Sequence, residues 1–408
     1  MPALTPLCEV REYKENLGKL PKLLADNDGH ATVLLEWGGI PAAGNIICNR
    51  RALYRLLGVE QDPEAYRRIL EAVEKPREPS EDDMQEYYAT CKRVNLPAVR
   101  FYECDGGPYL TGSIIIACHG GVCNASIHRM MKLSDTEYAV RIVPRHLYRM
   151  LKEAGGSIPA AVVLGAHPLV EVAAATSPPY GVFELNVAAG LGWNGRVCHT
   201  PRYGIPVPCD AGVILEGRLG PETAPEGPFA DILLLCDRVR EQPVFRIEAC
   251  YVRRDGGIVW QVLPGGEEHK LLMGFPREAL VWDAVRRATG REPRVRLLSS
   301  TGGWLAAAIA FDDIDVATAK IALMAAFAAH PSLKMAIVTL SDIDIEDDGE
   351  LLWAMATRIA SPSDILVVPE ARVSTLDPSS HDGVGVKIGI VAVPRGERDR
   401  FRRARLAG

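Results

Sequence analysis

The chain has 408 residues, room for two or three domains at about 150 residues each, and 48% of it is hydrophobic, enough for substantial cores. The net charge of −6 gives no electrostatic case for nucleic-acid binding, and no apolar run reaches the roughly 20 residues that a membrane-spanning helix needs. The start, MPALTPLCEVREYKENL, lacks a signal-peptide core, and the ten cysteines are scattered singly with no Cys-x-x-Cys pair, a usage that predicts free, mostly buried thiols in a reducing cytoplasm.

In chain order, Val10 to Leu24 carry charges and leucines at helical spacing, and residues 26–29 (DNDG) form a turn. His30 to Trp37 reads as a strand. NIICNRRALYRLLG reads as an amphipathic helix stopped at Gly58, and a second follows from Pro63 to Val73. A charged, proline-bearing connector, KPREPSEDD, closes a small N-terminal α/β domain over residues 1–100. From Tyr102 the texture becomes short β-rich runs: GSIIIAC (112–118), Tyr138 to Val143, IPAAVVLG, PVFRIEACYV and IVWQVL. The last two flank Arg253-Arg254-Asp255-Gly256-Gly257, a hairpin signal. Helices are predicted from Arg145 to Lys152 and from Leu169 to Ala175. Many short strands with few helices predict a barrel or sandwich over residues 101–290. After a helix from Glu278 to Thr289, strands and helices alternate (Val295–Leu298, Trp304–Phe311, Val316–Ala329, MAIVTLSD, Gly349–Ile359, DILVVPE). That alternation predicts a doubly wound α/β unit over 291–408. The basic tail RGERDRFRRARLAG reads as a solvated terminal helix or a subunit contact.

Four stretches carry chemistry. GGVCNASIHRMMKLSDTEYAVRIVPRH holds an amide oxygen at Asn124, a cation at Arg129 and an imidazole at His146, placed by its two strand-like runs on neighbouring strands of one hairpin. That set suits a bound phosphate and its metal. ATSPPYGVFELNVAAG holds Glu184. ETAPEGPFAD holds Glu226 and Asp231, five residues apart; two carboxylates near one arginine can titrate at different pH values, one as ion-pair partner and one as proton donor. LDPSSHDGVGVKIG holds Lys387. Carboxylate, amide oxygen and one imidazole favour an octahedral Mn2+ or Mg2+ over zinc. GVGVKIG lacks the spacing and the following helix of a dinucleotide fingerprint. His119 and Cys118 are adjacent strand residues on opposite faces and do not form a nucleophile pair. His167, His199, His269 and His381 read as surface or loop residues.

This ordered series, from about Asn45 to about Gly389, resembles the UbiD family of reversible decarboxylases that use prenylated flavin mononucleotide. The resemblance implies a split β-barrel of the flavin-reductase type for the central domain. It implies that Asn124, His146 and Glu184 hold manganese against the flavin phosphate, with Arg145 the competing assignment for His146 and K+ a further ion. Ile127, His128, Arg129, Arg141 and Lys387 fall to the cofactor, the last two as cations near its phosphate. Arg129 then pairs with Glu226 and orients the substrate carboxylate, while Asp231 protonates the carbon that loses carbon dioxide. It further implies a flavin prenyltransferase as cofactor supplier and a homo-oligomer built through the C-terminal domain.

The chain departs from the family pattern at Ala230-Asp231-Ile232, where Gly-Asp/Glu-His is common, and at His128, where Tyr is common. Those changes argue against 4-hydroxybenzoate as substrate. The short chain looks more like archaeal members that convert trans-anhydromevalonate 5-phosphate to isopentenyl phosphate, with an aromatic or cinnamate-like acid as the alternative. A non-catalytic flavin-binding protein and a metal-dependent hydrolase are the readings from other classes.

Overall fold

A computed structural model describes residues 6–92 and 94–404. The chain divides into two compact units, Met1–Leu272 and Met273–Gly408. In the first, strands Glu9–Lys14, Ala31–Glu36, Ala42–Gly44 and Val259–Trp260 form one four-stranded sheet. The strand from late in the chain ties the N-terminal segment to the barrel that follows it.

That barrel is antiparallel and closed. Its strands run in the order Val213–Glu226, Ile158–Leu164, Tyr109–His119, Val122–Lys132, Glu137–Val140 and Arg240–Arg253, and the last pairs back onto the first. Closure leaves no free edge among these six strands. Alternate residues fill the interior: Ile158, Ala160, Val162 and Leu164 from one strand meet Ile115, Ala117, Val213, Leu215 and Phe245 from others. Gly217 lies at a register shift, and a Cβ there would sit 1.9 Å from the Arg246 carbonyl oxygen, so the two longest strands can cross closely only at glycine.

The second unit holds a five-stranded sheet in the order Arg294–Leu297, Ala306–Phe311, Met335–Leu340, Val384–Val391 and Ile365–Arg372. The three central strands are parallel and both edges antiparallel. Helix Asp348–Arg358 lays Leu351 and Ala354 against Ala306, Ala308, Ala310 and Ile337. Helix Val316–Ala329 covers the other face, where Gly389 makes room for Leu323. The doubly wound expectation holds.

Several local expectations fail for tertiary reasons. Residues 9–14 are a strand parallel to Ala31–Glu36, not the start of a helix, because pairing in the sheet outweighs their spacing. The Arg253–Gly257 turn does not make a hairpin: Val259–Trp260 crosses to pair with Ala42–Ala43 in the other sheet. The largest correction concerns the cysteines. All ten are bonded, as Cys8–Cys48, Cys91–Cys250, Cys104–Cys236, Cys118–Cys123 and Cys198–Cys209, and none is free. Most partners are far apart in sequence and meet only through the fold, so single spacing carried no signal of pairing. The end of the basic tail, residues 405–408, lies outside the described residues.

Candidate active site

The strand Val122–Lys132 carries both halves of the candidate site. Toward its start, Asn124, Ser126 and His128 share one face by strand alternation. His128 Nδ1 lies 2.9 Å from the Arg141 carbonyl and Nε2 lies 2.8 Å from Ser126 Oγ. A carbonyl only accepts, so Nδ1 carries the proton and Nε2 accepts from Ser126. Burial pushes the imidazole down to about 4, which keeps it neutral. The single Ser126 hydroxyl proton goes to the nearer His128, not to Asn124 Oδ1 at 3.1 Å. Asn124 Oδ1 is therefore an acceptor left open.

Glu184 meets this row. It opens the helix Glu184–Leu191. Its Oε1 accepts from Asn124 Nδ2 and its Oε2 from the Ala125 N–H, each at 2.6 Å. Burial raises its pKa to about 8, against the lowering by these donors. A buried carboxylate this reluctant to ionise, beside an open amide oxygen, fits a divalent cation that would supply the missing positive charge. His146 opens the helix His146–Glu153, as the helix predicted from Arg145 to Lys152 implies, and does not lie on the second strand of the hairpin; its ring stands edge-on to Tyr180 at 5.4 Å. Burial, then Arg145 and Arg149, lower its pKa. Among the described residues no three His, Cys, Asp or Glu side chains gather as a metal cluster.

Five residues along the strand, Arg129 makes a two-pronged pair with Glu226, Nε to Oε1 at 2.8 Å and Nη2 to Oε2 at 3.1 Å. Glu226 is fully buried at the end of its barrel strand. Tyr109 donates its hydroxyl to Glu226 Oε1 at 3.0 Å, and Phe229 lies under the guanidinium at 4.4 Å. Burial opposes the charge on Arg129, but Glu226 and Asp237 outweigh it and raise its pKa.

Asp231 does not bond Arg129. It closes the turn after Phe229–Ala230, its Oδ1 accepting from the Leu233 and Leu235 N–H groups at 2.8 and 3.1 Å. It is buried, and burial raises its pKa, with Asp237 adding to the rise and Arg129 opposing it. Of the three side chains read from sequence as a network, Arg129 and Glu226 pair directly, and Asp231 feels Arg129 only through its charge.

Asp237 and Arg240 escaped the sequence reading. Asp237 Oδ2 lies 3.4 Å from Arg129 Nη2 and 2.6 Å from Arg240 Nη1. The only signal was the Asp-x-x-Arg spacing in CDRVR. Among the described residues the Arg141 guanidinium makes one hydrogen bond, Nη1 to the Ile142 carbonyl at 3.3 Å; burial and then the charges of Arg240 and Arg129 lower its pKa. Ile127 is half-buried opposite Ile114. Lys387 belongs to the second unit. There its ammonium donates to the carbonyls of Pro331, at 2.8 Å, and Leu333, over the Phe327 ring, and burial pushes it down to about 8.

A closed antiparallel barrel with a buried Arg–Glu pair and a nearby acid of raised pKa is the frame of a carboxylate-handling enzyme. The family comparison agrees. Residues 74–267 match the 3-octaprenyl-4-hydroxybenzoate carboxy-lyase Rift-related domain, and residues 270–392 match the C-terminal domain of the same family. The chain belongs to the UbiD family and is a carboxy-lyase. It is similar to an anhydromevalonate phosphate decarboxylase of Aeropyrum pernix, 45% identical, covering 98% of this chain and 92% of that one. A protein of the same description from Methanothermobacter thermautotrophicus is 38% identical over 90% of this chain and 89% of its own. Among solved structures, the UbiD-class enzyme HmfF from Pelotomaculum thermopropionicum in complex with FMN superimposes with a TM-score of 0.91 at 27% identity, covering 98% and 94% of the two chains.

Proposed function

We propose that this protein decarboxylates trans-anhydromevalonate 5-phosphate to isopentenyl phosphate and carbon dioxide with prenylated FMN. The observation that carries the reading is the buried, two-pronged Arg129–Glu226 pair beside Asp231. The substrate assignment is supported by the relatives that share that description over nearly the whole chain, and the cofactor by UbiD-class neighbours in complex with FMN and with prFMN.

Asn124 and Glu184, with His146 as third candidate, would hold Mn2+ or Mg2+ at the phosphate end. Ile127, His128 and Arg141 would line the flavin, and K+ would be the second ion of that region. The flavin supplies the electron sink for the carbon–carbon bond that breaks. Arg129 binds the substrate carboxylate, and Glu226 fixes the guanidinium so that its donors need not reorganise. Asp231, whose raised pKa favours its proton-bearing form, gives that proton to the carbon that has lost carbon dioxide.

We place the protein in the cytoplasm, supplied by a flavin prenyltransferase. Five disulfides there fit the disulfide-rich intracellular proteins of hyperthermophiles. Exposed Ile365, Val367 and Val368 on an edge strand of the second unit support a homo-oligomer. The test uses protein co-expressed with a flavin prenyltransferase and follows carbon dioxide release. Turnover of the phosphorylated acid, abolished by Asp231→Asn, is expected; turnover of a cinnamate-like acid alone would refute the assignment.

A further inference from the structure

The loop that follows Asp231 brings a second guanidinium to the substrate-binding arginine. Arg240 stands directly opposite Glu226 in the antiparallel pairing of their strands, so both side chains leave the same face of the barrel wall. Asp237 Oδ2 is shared: Arg129 reaches it at 3.4 Å and Arg240 at 2.6 Å, which keeps those two nitrogens within about 6 Å of each other. Arg240 is held by one nitrogen only, since Nη1 makes both the Asp237 bond and a 3.1 Å bond to the Arg238 carbonyl. Its side chain is 19% exposed, so the guanidinium is neither sealed in nor loose in water. Nε and Nη2, one edge of the fork, have no partner among the described residues.

We infer that Arg240, positioned by Asp237, is the cation that receives the substrate's phosphate while Arg129 holds its carboxylate. The inference rests on the phosphorylated substrate proposed above and names the residue that selects it. The chemistry matches in length. In an extended five-carbon acid phosphorylated at its far end, six bonds separate the carboxyl carbon from phosphorus. At about 1.3 Å of advance per bond this is about 8 Å, and a carboxylate and a phosphate bound on the outer edges of two guanidiniums whose inner nitrogens lie within about 6 Å of each other can span that length. A planar fork with an open edge suits a phosphate better than a point charge does. An aromatic or cinnamate-like acid has nothing to offer Arg240, and leaving it unanswered disfavours such an acid.

The test compares flavin-loaded wild type and Arg240→Gln on the phosphorylated acid and on its dephosphorylated alcohol. The preference for the phosphorylated acid, read as the ratio of the two kcat/KM values, should fall roughly 10- to 100-fold, the worth of one charged hydrogen-bonded contact. The fall should lie mainly in KM, and Arg240→Lys should recover part of it. An unchanged ratio overturns the inference. So does an equal loss on both acids, which would mean that Arg240 acts only through Asp237 on Arg129. Inorganic phosphate binding, followed by calorimetry on the same two proteins, separates this from the substrate reading. If wild type fails to turn over the phosphorylated acid, the proposed function falls; phosphate binding lost in Arg240→Gln would still uphold the anion site, and binding that survives the substitution would overturn it.

Discussion

Removing the Cys104–Cys236 bond should weaken both the fold and the site. The bond fastens the segment that carries the acid. Asp105, next to Cys104, accepts from the N–H groups of Phe101, Tyr102 and Ala230, and Cys236 pairs with Ala230 across the short ladder whose turn holds Asp231 and whose far strand holds Asp237. The two cysteines are 132 residues apart, which by loop-closure entropy alone would be worth about 5 kcal/mol. Cys91–Cys250 changes that figure. With it intact, the unfolded chain already joins the two ends through a ring of about 27 residues, thirteen back to Cys91 and fourteen on from Cys250, and closing this ring is worth about 3.5 kcal/mol. Cys104→Ser with Cys236→Ser should therefore lose up to about 3.5 kcal/mol in urea unfolding followed without reductant, and turnover should drop several-fold as Asp231 and Asp237 lose their brace. A loss below about 0.5 kcal/mol would refute the argument. So would free thiols in wild type denatured without reductant.

Three further outcomes follow from the buried charges. Glu226→Gln leaves the buried Arg129 guanidinium with one amide acceptor and the longer Asp237 contact in place of a two-pronged carboxylate, so it should lose about 2–4 kcal/mol of stability and nearly all turnover; a stable, active variant would contradict the pair's role. Asp231 needs its proton, and burial raises its pKa, so activity should hold above the ordinary carboxylate range and fall as pH rises through the raised value. A falling limb at the ordinary carboxylate pH would count against it as donor. Glu171 is fully buried with neither carboxylate oxygen hydrogen-bonded among the described residues, and burial, then Glu268, raise its pKa well above 4.5. Its folded form binds the proton more tightly than its unfolded form, so its contribution to stability is full below about 4.5 and is lost as pH climbs. Glu171→Gln should flatten that pH dependence, and Glu171→Leu should add about 1–3 kcal/mol at neutral pH; an unchanged slope in Glu171→Gln would exclude Glu171 as its source.

The site was legible where one short segment fixes a residue's role. Asn124 and Arg129 ride one strand, and the Pro-Glu-Gly-Pro loop sets Glu226 and Asp231, so their grouping could be read along the chain. The helix over His146 is legible from its local spacing, but the strand before it stops at Val140, short of the run to Val143, so His146 does not share a hairpin with Asn124. Asp237 and Arg240 were passed over because neither lies in a recognisable motif, and their link to Arg129 exists only across strands.

The sequence by itself determined the family, the alternation that builds the second unit, and the order of the carboxylates, amide and arginine, because these are patterns of residues near one another in the chain. Only the tertiary structure decided which cysteines bond, which sheet Val259–Trp260 joins, and that Arg240 faces Glu226. Those depend on barrel closure and strand register, which bring together residues tens to more than a hundred positions apart, and no local spacing encodes such pairings.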